Sequence, residues 1–105
     1  MGQFTVYRNE DKDSSETYPY FIDVQNALLD DLNTRLVIPL SKYTSLNNQA
    51  VEKLCPIIEI DDEKYVLLTN QMATVPVLIL KNEICQLENY RYEIVNAIDF
   101  LITGI

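Results

Sequence analysis

EIVNAIDFLITGI, residues Glu93 to Ile105, is the one stretch of this sequence with a sustained helical period. At about 3.6 residues per turn, Ala97, Leu101, Ile94, Ile105, Ile98, Ile102 and Val95 fall in one arc of roughly 160°. Glu93, Asn96 and Asp99 lie outside it, and so does Phe100, between Glu93 and Asn96. The arc is wide for a surface helix, so the helix is expected to pack on a sheet and on something else as well. An aromatic on the polar side suggests a subunit contact. Gly104 fits a helix stop.

Upstream, short strands dominate. Phe4–Tyr7 alternates and reads as a first strand, and Tyr18–Val24 as a second. Between them RNEDKDSSET (Arg8 to Thr17) is polar, charged and without a period, and reads as a mobile surface loop. TRLVIPL (Thr34 to Leu40) is a third strand, whose Pro39 removes a ladder donor and implies a bulge or an edge. Ser41–Leu54 reads as a long connection. Ile57–Ile60, an acidic turn at Asp61–Glu63 and Tyr65–Thr69 form a hairpin signal, and Val75–Leu80 a further strand. Many short strands before one helix predict a mainly β domain, a small antiparallel sheet or partly open barrel with a C-terminal helix.

The chain has 105 residues. That length makes one domain, residues 1–105, which buries ~60–70% of its unfolded surface. No apolar run approaches the roughly 18 residues of a membrane span. Nor does the start read as a secretory signal, and Val6 stands where a myristoylation site wants Ser or Thr. Sixteen acids against 8 bases give a net charge of −8, a surface that repels phosphates and disfavours direct nucleic-acid binding.

There is no histidine, and the two cysteines, Cys55 and Cys85, make no CxxC pair. A zinc site and the Ser-His and Cys-His nucleophiles are therefore not expected, and no cofactor or catalytic residue is assigned. Both cysteines read as buried free thiols. One apolar oddity remains. Leu28 and Leu29 stand side by side in NALLDDLNTR, in a stretch that neither alternates nor makes a stable helix.

Six segments in order along nearly the whole chain resemble the CcdB family of toxins. They are QFTVY (Gln3 to Tyr7), FIDVQ (Phe21 to Gln25), RLVIPL (Arg35 to Leu40), MATVPV (Met72 to Val77), NAI (Asn96 to Ile98) and Gly104-Ile105. The resemblance implies an SH3-like, partly open barrel with a five-stranded antiparallel sheet, a small accessory sheet and the C-terminal helix. It implies a cytoplasmic bacterial homodimer with the helices near the two-fold axis. The implied target is the A subunit of DNA gyrase, trapped with its DNA cleaved, so the implied activity is binding and not catalysis. The implied second partner is a CcdA-like antitoxin, which neutralises the toxin, serves plasmid maintenance with it, and supplies the DNA contacts when the pair represses its operon.

The gyrase-facing residues carried over are Leu28, Leu29, Asp99, Ile102, Thr103, Gly104 and Ile105. On this reading the last helical turn is the working end, and both oddities are explained. Two departures stand out. Thr103 replaces a Trp of the best-known plasmid member, forgoing a ring–arginine stack worth ~1–2 kcal/mol or more; Asp99 replaces an Asn. The Arg8–Thr17 loop also reads as longer. Two rival functions follow from the same material. One is messenger-RNA cleavage of the Kid/MazF type on the same barrel, which needs cationic groups for the phosphates; the only arginines are Arg8, Arg35 and Arg91. The other is a non-toxic homologue that titrates an antitoxin.

Overall fold

The computed structural model describes residues 2–44 and 53–104. Seven strands are found there: β1 Thr5–Arg8, β2 Tyr20–Asp23, β3 Thr34–Lys42, β4 Ile57–Ile60, β5 Glu63–Leu67, β6 Ala73–Pro76 and β7 Glu83–Gln86. One helix, α1, spans Arg91–Thr103. Every pairing is antiparallel, in the order β4-β5-β3-β2-β1-β7, with β6 branching from β3. The sheet curls into a half-barrel with the helix against it, as an SH3-like, partly open barrel requires. Main and accessory strands are joined through β3, which pairs with three others.

Alternation sorts the side chains. Val6, Ile22 and Ile38 share one register row and enter the main core with Phe4, Val24, Leu40, Ile58, Ile60, Tyr65, Leu67 and Leu87. The helix seals that core with Ile94 and, less deeply, Ile98. Tyr7 and Val37 point to the opposite face and pack with Leu80, Phe21 and Val75 in a smaller cluster.

Several expected boundaries move for physical reasons. The first strand starts at Thr5 because Phe4 sits at φ 69°, in the left-handed region a bulky residue seldom occupies. Full burial of its ring and the Arg91 guanidinium 5.4 Å from the ring centroid hold it there. Pro39 marks neither an edge nor a bulge. Its carbonyl accepts from the Leu68 amide, so its missing N–H would point the same way, into the gap where the outer partner of β3 changes from β6 to β5. β3 itself runs on through Ser41 and Lys42, which shortens the expected connection; residues 45–52 of that connection lie outside the described residues.

The expected strand Val75–Leu80 ends at Pro76 and becomes a 3-10 turn, Val77–Ile79. β7 was not expected: EICQ is too short and too mixed to stand out. The Arg8–Thr17 loop is internally bonded. Asn9, 5% exposed, donates to Ser14 Oγ and the Tyr18 carbonyl, while Ser15 and Tyr18 amides close turns on Asp11 and Ser14. The tight turn of the β4–β5 hairpin places Asp61 and Asp62 at φ 53° and 66°.

Both cysteines are free; Cys55 is buried and Cys85, in β7, is only half-buried. Burial pushes both thiols above their ordinary 9.0, and the Tyr7 and Tyr65 hydroxyls above 10.0. The folded protein thus prefers the protonated forms more than the unfolded chain does. That stabilisation is complete below the ordinary values and is lost as pH rises through the raised ones. Thermal melts between about pH 7 and pH 11 should show a plateau to about pH 9 and then a falling limb. A melting temperature constant to the alkaline end would contradict this.

Candidate functional site: two exposed apolar segments

Between β2 and β3 the chain forms a 3-10 turn, Ala27–Leu29, capped by Asn26, whose side-chain oxygen accepts from the Leu28 amide. None of the three turn residues is buried. Leu28 is 90% exposed and Leu29 48%. Of the pair singled out in the sequence, Leu28 is therefore almost fully displayed and Leu29 about half. Leu32, bonded through its amide to the Leu29 carbonyl, adds a third exposed leucine that sequence reasoning did not select, although its i+3 spacing was visible.

The polar framework beneath this turn carries its geometry. Arg35, on β3, is fully buried. Its Nε and Nη2 reach Asp23 Oδ2 at 2.9 and 2.8 Å, its Nη1 reaches Asp30 Oδ1 at 2.6 Å, and its Nη2 donates to the Gln25 carbonyl at 3.3 Å. Asp23 Oδ1 accepts from the Gln25 amide. Burial lifts the Asp23 carboxyl above the ordinary carboxylate value, opposed by that amide and by the guanidinium. Gln25 closes the base of the turn by donating to the Leu29 and Thr34 carbonyls and accepting from the Leu36 amide. An arginine on a strand face shared with Val37 was the sequence signal for this network.

The second segment is the end of α1. Only Ile94 and Ala97 of the helix are buried, with Ile98 half-buried; Val95, Leu101 and Ile102 of the predicted arc are exposed, as is Tyr92. The arc thus covers the sheet with one stripe and leaves the rest uncovered. Ile102 is 72% exposed and belongs to no core cluster. Phe100 is half-buried beneath the Lys53 ammonium, 5.0 Å from the ring centroid, so a cation covers part of the face expected to meet another subunit.

Asp99 and Thr103 are exposed neighbours: the Thr103 hydroxyl donates to the Asp99 carbonyl at 2.7 Å. Gly104 ends the helix at φ 73°, its amide bonded to the Phe100 carbonyl. Ile105 lies outside the described residues. Of the expected contact set, Asp99, Ile102, Thr103 and Gly104 share the last helical turn and its cap, and Leu28 and Leu29 share the other turn.

Among the described residues no three His, Cys, Asp or Glu side chains are grouped to hold a metal ion, and no helix is long and apolar enough to cross a membrane. Of the arginines, Arg35 is spent inside the fold, and Arg91 lies over Phe4 and within 3.6 Å of Glu88.

The small half-barrel thus displays leucines on a tied turn and an isoleucine on a helix end. The family described as CcdB protein matches residues 3–104, so the chain belongs to the CcdB family, the toxins of toxin–antitoxin pairs.

Proposed function

We propose that this protein is the toxin of a type II toxin–antitoxin module that binds the A subunit of DNA gyrase through Leu28, Leu29, Asp99, Ile102, Thr103, Gly104 and Ile105. By preferring the state in which DNA is cleaved, a homodimer of this chain holds gyrase there; a binder shifts a cycle only by its differential affinity for one state. A CcdA-like antitoxin blocks the same dimer in the bacterial cytoplasm, and the joint complex represses its operon, with the antitoxin making the DNA contacts.

The observation that carries this reading is the exposure of Ile102 and Leu28, large apolar side chains that contribute nothing to their own core. Against messenger-RNA cleavage stands the loss of one of the three arginines, Arg35, which is buried against two carboxylates, while Arg8 and Arg91 are exposed. Thr103 favours a second reading, a homologue that titrates antitoxin with weak poisoning of its own, because its hydroxyl is turned back on the helix where the family's Trp would reach outward.

The test is plasmid supercoiling by purified gyrase with this protein added, beside a version lacking residues 103–105. Full-length protein should release linear DNA after detergent denaturation, and the shortened protein should not, while labelled RNA stays intact with both. Equal behaviour of the two proteins would rule out the helix end as the contact. Expression in a gyrase-sensitive bacterium separates a working poison from a titrating homologue.

A further inference from the structure

We propose that Arg35 and its exposed partner Asp30 are positioning residues, a buried post and its tie, that hold the Ala27–Leu29 turn in the shape that presents Leu28 and Leu29. What the turn meets rests on the gyrase reading above; that it is held this way does not.

The turn cannot hold itself. It is three residues long, and a single 3-10 turn has too few bonds to be stable alone. It fully buries none of its own residues; Leu29, 48% exposed, is partly covered, and the Gln25 side chain holds the Leu29 carbonyl. The remaining ties are polar. Arg35 is immobilised from below by two contacts to Asp23, and its guanidinium fork then extends to Asp30, the residue that caps the turn. One fork of fixed geometry can meet both carboxylates and the Gln25 carbonyl at once, which a lysine ammonium on a flexible stem cannot do with the same precision. The root of the post is in β3, between β2 and the outer strands, so the turn inherits the position of the most connected strand.

Asp30 is the arm to cut, because its side chain is 42% exposed and the core stands without it. Asp30→Ala should speed amide hydrogen exchange at Leu28, Leu29 and Leu32 about tenfold, the loss of one charge-assisted hydrogen bond, while β3 and α1 amides change less than about twofold. Gyrase poisoning should weaken by about tenfold in parallel, since a loosened turn must be ordered again on binding. Asp30→Glu, which restores an acceptor for the fork, should recover part of both losses.

Unchanged exchange in Asp30→Ala would overturn the proposal outright, whatever the target. Faster exchange with undiminished poisoning would overturn the functional half, because the shape of the turn would then not matter. Leu28→Ala in the same gyrase assay separates the two claims: full poisoning by that variant shows that gyrase does not meet the turn, and the gyrase reading fails while the exchange data still judge the tie.

Discussion

Ile102→Lys should reduce gyrase poisoning by at least about a hundredfold and leave the melting temperature almost unchanged. Burying an isoleucine is worth about 1.5–3 kcal/mol, and forcing an ammonium into an apolar contact adds a desolvation cost, so ~3 kcal/mol or more is lost at each helix end. The fold should not notice, because Ile102 is 72% exposed and packs into neither core cluster. Lysine is also well tolerated at this helix end, since it has good helix propensity and a cation near the C-terminal end meets the negative pole of the macrodipole. Any loss of poisoning then cannot be assigned to fraying. Ile102→Leu, which keeps the apolar volume, should poison gyrase nearly as well as the original. Titrating each variant against a fixed amount of gyrase and measuring linear DNA decides it; potency retained by Ile102→Lys would remove the helix end from the contact.

The largest effect on stability is expected at Arg35. Arg35→Ala leaves the Asp23 carboxyl enclosed without its counter-ion, and the Gln25 carbonyl and Asp30 each lose a donor. Removing one member of a buried pair costs about 3–5 kcal/mol, a large share of the 5–15 kcal/mol that stabilises a domain. At this chain length that lowers the melting temperature by at least about 12 °C. The buried pair is itself a poor source of stability. Replacing both members by apolar residues, as in Asp23→Leu with Arg35→Met, should therefore recover most of the loss. Thermal or urea unfolding of the single and double variants measures this, and a single variant melting within about 3 °C of the original would show that the carboxylate is relieved by other means.

These two residues also show what could and could not be read from the chain. The helical spacing made legible an arc too wide for one sheet to cover, but only the resemblance picked Ile102 out of it. Leu28 and Leu29 were legible as an apolar pair without a period, although only the resemblance gave them a purpose. The antiparallel, partly open barrel with its C-terminal helix followed from alternation and from the segments shared with the family; the strand order is given by the structure alone.

Arg35 carries no local sign of its role, because its partners at Asp23 and Asp30 are 12 and 5 residues away and only the fold brings them together. β7 escaped notice because four residues of mixed character carry too little pattern. The strand expected over Val75–Leu80 was cut short after Pro76, where the amides of Val77 and Leu80 turn to Asn33 and Val77 carbonyls. For Arg35 and for the end of β6, a partner distant in sequence decides the structure.

The incomplete closure of the barrel leaves strand margins, and their make-up bears on whether a further strand can add to them. β4 and β7 end the hydrogen-bonded order, and among the contacts bridging that side is the Glu59 amide donating to the Tyr90 hydroxyl at 3.1 Å. Exposed strand margins are templates for aggregation, and proteins blunt them by keeping them short, charged or interrupted by proline. Here β4 and β7 are four residues each and carry Glu59 and Glu83 on their exposed positions, and β6, equally short, ends in Pro76. The margins of the half-barrel are thus short and charged or stopped by proline, which disfavours the addition of a further strand to them.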